Sequence, residues 1–257
     1  MRTSFRVALL VTVLIAAAAL VLAITVVPST EQKEQVQQAG RVAKTYERTL
    51  ARSTDDLAAY VVKRRFENET NYQKLYDQVT ARMKDVPRIP TKGTTAYGRE
   101  HSRDYRTARA RRGLELKQFR DFTERLEAEV IPRQEFVETG IDIVKINPVK
   151  LLEGFAVFSG EPLRTEVVPA YRKVEKRLEK QKPAPADAEL ARDLERYVDD
   201  ALKMTRDGAD DIDAGRAFFF DFGDKPEALL TRLEATQRAI AAEVSTMVQV
   251  FDRAGTA

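Results

Sequence analysis

The chain has 257 residues, of which 43% are hydrophobic, so it is long enough and apolar enough to bury one large core or two smaller ones. Its formal net charge is +3, and apart from Arg2 and Arg6 the basic and acidic residues are almost equal in number. That balance excludes the strongly basic surface typical of nucleic-acid-binding proteins. The absence of cysteine and the presence of a single histidine exclude disulfides, a thiol nucleophile and any metal site built on several histidines.

An uncharged run from Val7 to Thr30 begins near the N-terminus. Its apolar part, residues 7–27, has the length that a helix needs to cross about 30 Å of hydrocarbon, so we predict a transmembrane anchor there. Both N-terminal arginines precede this run, and the positive-inside rule then predicts a cytoplasmic tail at residues 1–6 and an extracytoplasmic remainder. The alternative is a signal peptide cleaved near Ala23, which would leave a secreted protein.

The residues after the anchor predict a long helical hairpin over residues 31–146. The apolar positions of its first helix are spaced by alternating steps of three and four residues: Val36, Ala39, Ala43, Tyr46, Leu50, Ser53, Leu57 and Tyr60. A second stripe, from Tyr72 to Val86, is out of phase with the first, so a kink or a change of partner is expected in the polar run 63–71. Prolines and glycines at 86–99 predict the loop that leads to a return helix.

The remaining residues, 147–257, predict further helices that pack on this hairpin. Proline follows a capping or acidic residue at three predicted helix starts, near 147, 161 and 224. The predicted elements are a short helix at 149–158, a helix at 162–182 bent at Pro169, a linker at 182–187, a helix at 188–216 and a final helix. Since no strand pattern occurs, the predicted fold class is all-α, with an N-terminal transmembrane helix followed by an elongated antiparallel helical bundle.

A basic stretch at the start of the return helix is a candidate contact for an anionic partner. Arg99, Arg103 and Arg106 are expected to share one face of that helix, where they could bind an anionic envelope polymer or an acidic protein. The alternative is a solvated face in which Glu100 and Asp104 supply local ion pairs.

Two aromatic segments are candidates for a membrane-proximal contact. By the alternation of the predicted helices, both segments fall at the membrane-proximal end of the bundle, where their rings could meet lipid or another membrane protein. The alternative is that the rings fill the core where the helices end. The residues are Phe155, Phe158, Phe218, Phe219, Phe220 and Phe222.

No residue pattern predicts catalysis, a cofactor or a metal. The acidic neighbourhood at 207–224 lacks the ligand spacing of a calcium loop. We therefore expect a non-catalytic, membrane-anchored extracytoplasmic scaffold or interaction protein of the bacterial cell envelope, with a protein partner and no nucleic acid. The alternative is an extracytoplasmic ligand-binding bundle like those of bacterial sensors, although a sensor normally needs a second membrane crossing and no apolar run of that length follows Val27.

Overall fold

The computed structural model describes residues 28–64, 71–155 and 158–254, and every regular element in these ranges is helical. The predicted all-α fold class is therefore confirmed. In chain order the elements are α1 (Thr30–Arg64), α2 (Tyr72–Asp85), α3 (Ala96–His101), α4 (Arg103–Glu115), α5 (Lys117–Arg125), a π-helical segment (Leu126–Val130), α6 (Ile131–Val144), α7 (Pro148–Leu151), a second π-helical segment (Leu163–Val167), α8 (Val168–Leu178), a 3-10 turn (Pro185–Asp187), α9 (Ala188–Asp213) and α10 (Lys225–Ala254).

The predicted anchor at residues 7–27 lies outside the described residues. Within the described ranges, none of the helices is both long enough and apolar enough to cross a membrane. α1 has its own start signal, because the Gln32 N–H donates to the Ser29 hydroxyl at 3.1 Å while the Gln32 side chain accepts from the Ser29 N–H at 2.9 Å. This reciprocal capping box fixes the helix start just after the uncharged apolar run.

The chain reverses direction between α1 and α2. The Tyr60 hydroxyl donates a hydrogen bond to the Gln78 side chain, and the Arg82 guanidinium lies 4.0 Å from the centre of the Tyr60 ring. In one straight helix Tyr60 and Gln78 would be about 27 Å apart. The expectation of one outgoing helix over residues 31–86 is therefore wrong, and the change of phase in the apolar stripe reflects a reversal of the chain.

α2 also packs antiparallel to the helix that contains Pro132. The Tyr76 hydroxyl bonds to the Glu127 carboxylate at 3.2 Å, and the Tyr72 N–H donates to the Gln134 side chain at 3.0 Å. Since α2 is antiparallel to both neighbours, the last turns of α1 run parallel to α6. The chain therefore reverses once more than the sequence predicted, between α1 and α2.

Packing divides the chain into two units, and the first comprises the described residues up to 56 together with 83–118. In this unit α1 runs parallel to α3 and α4, since the Thr95 hydroxyl donates to the Gln35 side chain at 2.9 Å and Glu47 faces Arg111 at 3.9 Å. The helices approach so closely at Gly98 that a Cβ there would clash with the backbone carbonyl of Gln35. Only glycine fits at this crossing.

The predicted return helix is interrupted at Ser102. This residue has an extended backbone (φ −76°, ψ 114°), ends α3 and caps α4 by accepting a hydrogen bond from the Tyr105 N–H at 3.3 Å. Arg99 therefore belongs to α3, whereas Arg103 and Arg106 belong to α4. The expectation that the three arginines share the face of one continuous helix is wrong.

The second unit comprises residues 57–82 and the described residues from 119 onward. In it, α6, α8, α9 and α10 form a four-helix arrangement in which consecutive helices are antiparallel. Ion pairs join neighbouring helices of this arrangement: Asp142–Arg177 at 2.7 Å between α6 and α8, Asp193–Arg232 at 2.5 Å between α9 and α10, and Arg133–Glu243 at 3.0 Å between α6 and α10. Its core is filled by large, fully buried side chains that include Phe119, Leu126, Phe136, Ile143, Leu163, Tyr171, Leu194, Leu233 and Ile240.

Two prolines of this unit, Pro132 and Pro169, lie within continuous helical runs and do not end them. Pro132 follows the π-helical segment Leu126–Val130, and Pro169 follows Leu163–Val167. A proline removes one helical hydrogen bond and crowds the carbonyl four residues earlier, and the wider π turn gives that carbonyl room. Both sites share the pattern Leu-x-x-Glu-Val-(Ile/Val)-Pro, which forms a local sequence repeat.

Several helix ends differ from the predictions. α7 ends at Leu151 and does not reach residue 158, because Gly154 takes up a left-handed conformation (φ 89°) that stops the helix. α9 ends at Asp213, two residues before Gly215 (φ 73°). The predicted domain boundary between residues 146 and 147 rested on helix-start signals, and it stays a prediction.

Candidate functional site

The two aromatic segments lie at the same end of the four-helix arrangement. One segment precedes the second π-helical segment, and the other follows α9. The Gly160 N–H donates to the Asp213 carboxylate at 2.7 Å, and Arg164 pairs with Asp213 at 2.7 Å and with Asp210 at 2.6 Å. A Cβ at Gly160 would clash with the Ala209 backbone carbonyl. These contacts hold the chain near Gly160 directly against the last turns of α9.

The carboxyl of Asp213 is part of this attachment. The hydrogen bond from the Gly160 N–H and the Arg164 guanidinium together hold the pKa of Asp213 below its usual value. A carboxyl with a depressed pKa stabilises the fold while it is ionised, and this contribution disappears as the pH falls through the lowered pKa. The carboxylates here are therefore occupied in structural contacts, and no group of acidic or histidine side chains in the described ranges is arranged to bind a metal.

The segment from 217 to 222 is extended and runs back along α9. Alternate rings face the helix, as expected for an extended chain. Phe218 covers Gly208, where a Cβ would collide with its ring, and Phe222 lies 5.6 Å from Tyr197 between ring centroids. Phe220 connects them, at 4.9 Å from Phe218 and 5.9 Å from Phe222. We call these three rings, Phe218, Phe220 and Phe222, the aromatic ladder.

The other three aromatic residues face solvent. Phe158 is 91% exposed, Phe219 is 82% exposed and Phe155 is about half exposed. The six phenylalanines therefore separate into the aromatic ladder, which packs on α9, and an exposed set, which we call the phenylalanine cluster: Phe155, Phe158 and Phe219. Phe218, Phe220 and Phe222 are partly buried and lie outside the fully buried core, and the contact with lipid or another membrane protein stays a prediction.

The prediction that this end of the helices lies near the membrane depended on the alternation of the predicted helices, and the structure has a different alternation. The prediction counted one helix from 31 to 86, whereas Tyr60 contacts Gln78 and the chain has already reversed there. In the second unit, the last turns of α1 and α6 run in the same direction, so the phenylalanine cluster lies at the end toward which α1 points. A membrane-proximal contact stays a prediction, without support from helix alternation.

A basic cleft in the first unit brings together part of the predicted anionic contact. The cleft has a volume of about 610 Å³, and five arginines line it: Arg88, Arg99, Arg106, Arg109 and Arg112. Tyr46, Tyr105, Ile89 and the carboxylate of Glu100 complete much of the wall. We call this feature the arginine cleft.

The wall of the arginine cleft is held in place by two partly buried hydrogen bonds. The Tyr46 hydroxyl donates to the Pro87 carbonyl at 3.0 Å, and the Tyr105 hydroxyl donates to the Pro90 carbonyl at 3.2 Å. Burial raises the pKa of Tyr46, partly opposed by Arg112, so its hydroxyl stays protonated and able to donate. Both bonds fix the loop after α2 against α1 and α4.

Two of the five arginines are themselves positioned by backbone carbonyls. Arg112 donates from Nη2 to Val86 at 3.1 Å and from Nε to Pro87 at 3.2 Å, next to the C-terminus of α2. Arg99 donates to the Thr94 carbonyl at 2.9 Å. Each guanidinium has five N–H donors, so these bonds leave donors available to a ligand.

Arg103 does not line the arginine cleft. It borders a separate depression with Arg41, Lys44, His101 and Asp104. Arg99 and Arg106 both line the arginine cleft, but they lie on different helices, α3 and α4. The predicted anionic contact did not include three cleft residues, Arg88, Arg109 and Arg112. A usable signal was the spacing of three residues that joins Arg106, Arg109 and Arg112 on successive turns of α4.

Searches for related proteins found no match of this chain to any family model, curated protein or solved structure.

Proposed function

We propose that this chain is a non-catalytic scaffold of the bacterial cell envelope, anchored by residues 7–27 and carrying an extracytoplasmic helical domain. The uncharged run of membrane-spanning length, with two arginines before it, supports the anchor and its orientation. The capping box at Ser29 supports a separate helix that begins just after the apolar run.

The phenylalanine cluster carries the scaffold role. Phe158 and Phe219 are almost fully exposed at one end of a four-helix arrangement whose core is already filled. Large rings that remain in water at one end of a packed helical arrangement are typical of a surface that binds another protein. We propose that a membrane or wall protein covers them with an apolar pocket.

A protein partner fits this surface better than a lipid surface does. Glu153, Asp221 and Asp224 are exposed in the same loops as the phenylalanine cluster. Anionic lipid repels carboxylates and attracts basic residues. A partner protein can place its own basic residues around the apolar pocket and pair with these carboxylates.

A second function, an extracytoplasmic ligand-binding bundle, is favoured by a different observation. The arginine cleft is large enough for a small ligand and is lined by charged donors. Ligand binding in the arginine cleft needs no second membrane crossing, because only a sensor has to transmit a signal across the membrane.

Photo-crosslinking from the cluster tests the scaffold role. The full-length chain is produced in its own cells with benzoylphenylalanine at position 219, and separately at position 114, where Leu114 is 72% exposed. We expect one discrete protein adduct from position 219 and none from position 114, because only the cluster is buried by the partner. The absence of an adduct at 219, or the same adducts from both positions, would contradict the proposal.

A further inference from the structure

The arginine cleft carries more positive charge than the chain itself neutralises. Glu100 is the one carboxylate among the lining residues given above, against five guanidinium groups. The side chains of Arg88, Arg106 and Arg109 make no hydrogen bond or ion pair with any residue in the described ranges, whereas the side chains of many other arginines do, Arg133 and Arg164 among them. The chain has nearly as many acidic as basic residues, so this imbalance is local and does not reflect composition.

Like charges held together without counter-charges destabilise a fold by mutual repulsion. This repulsion persists here because the cleft wall is fixed. Tyr46 and Tyr105 donate hydrogen bonds to carbonyls of the loop after α2, and Arg112 donates to the Val86 carbonyl. A rigid cleft with donors already oriented loses little entropy when an anion enters it. The arrangement therefore favours a ligand that supplies several negative charges at once.

The number of charges and the size of the cleft define the ligand class. A guanidinium group binds two oxygens of a phosphate through parallel N–H donors, and a phosphate offers more charge in a given volume than a carboxylate does. A cleft of about 610 Å³ has the size of small-molecule sites and can hold several linked phosphates. We propose that the arginine cleft binds a soluble condensed phosphate, a chain of two or more phosphates, with Arg88, Arg106 and Arg109 as its free binding groups.

Calorimetric titration of the full-length chain in a neutral detergent tests this proposal, with tripolyphosphate as the probe. We expect one molecule bound per chain, with an affinity that falls as salt is added because the contacts are between charges. Arg106→Gln and Arg109→Gln should each weaken binding about tenfold or more, the effect of losing a charge-assisted hydrogen bond. Both side chains are exposed, so unfolding curves of the two variants should match the wild type.

Arg103→Gln is the matched control, because Arg103 lies on the same helix as Arg106 but borders the other depression. Its tripolyphosphate affinity should stay within about twofold of wild type. The proposal would be overturned by absence of binding at millimolar tripolyphosphate or by equal losses in the Arg103 and Arg106 variants. A short galacturonate oligomer that binds as tightly as tripolyphosphate would also overturn it, because it would show a carboxylate site.

Discussion

Replacing Arg133 with methionine is expected to lower the free energy of unfolding by about 3 to 5 kcal/mol, measured by chemical denaturation. Arg133 donates to both carboxylate oxygens of Asp187, at 2.8 and 3.4 Å, and pairs with Glu243 at 3.0 Å. Arg133 is 17% exposed and Asp187 only 5%. The variant would leave the Asp187 carboxylate in the interior without its counter-charge, and an unpaired buried charge is strongly unfavourable.

The control for this experiment is Arg196→Met. Arg196 is exposed and pairs at 3.4 Å with Asp193, which keeps a second partner in Arg232. Exposed ion pairs contribute little, so this variant should lose less than about 1 kcal/mol. Adding Asp187→Leu to the Arg133 variant should restore part of the stability, since no buried charge then remains. If Arg133→Met alone lowered the free energy of unfolding by less than about 1 kcal/mol, the Asp187 carboxylate would not be an unpaired buried charge in that variant.

Replacing Phe218 with alanine should lower the free energy of unfolding by about 2 to 3 kcal/mol, whereas Phe219→Ala should change it by less than about 0.5 kcal/mol. Phe218 covers Gly208 and contacts Phe220 at 4.9 Å, so its removal leaves a gap beside α9. Phe219 has most of its ring in water. The two adjacent residues thus form a matched pair with the same chemical change.

Thermal and urea unfolding of the two variants would provide the measurement. Equal losses would contradict the division into an aromatic ladder and an exposed phenylalanine cluster. If instead both variants unfolded like the wild type, the ladder would make no stabilising contact with α9.

The helical content and much of the core could be predicted from the sequence, because amphipathic periodicity is a local property. Ala39, Ala43, Tyr46 and Leu50 come from the predicted stripe, and all four are buried. Capping signals near Asn147 also placed a helix start correctly, since the side chain accepts from the Lys150 N–H. These features depend on neighbours within a few residues.

The path of the chain could not be predicted in the same way. The polar run at 63–71 suits a kink as well as a reversal, and what distinguishes them is the contact of Tyr60 with Gln78. The ion pair of Arg133 with Asp187 likewise joins residues 54 positions apart, and both read as ordinary surface residues in the sequence. Such long-range pairings are set by packing and leave little local signal.

The candidate sites illustrate the same limit. Spacing suggested a shared face for Arg99, Arg103 and Arg106, but the cap at Ser102 separates the first from the others. The aromatic run 218–222 did hold a usable signal, because residues two apart face the same side of an extended chain. That rule assigns Phe219 to the opposite side from the aromatic ladder.

Labelling of single cysteines tests the proposed topology most directly, since the natural chain contains no cysteine. Thr3→Cys and Lys92→Cys variants would be treated with a membrane-impermeant maleimide in cells whose wall is opened but whose cytoplasmic membrane is intact. We expect the Lys92→Cys variant to react at once and the Thr3→Cys variant to react only after detergent is added. Protection of Lys92→Cys, or a mature Thr3→Cys chain that does not react even in detergent, would contradict an anchored protein with an extracytoplasmic helical domain.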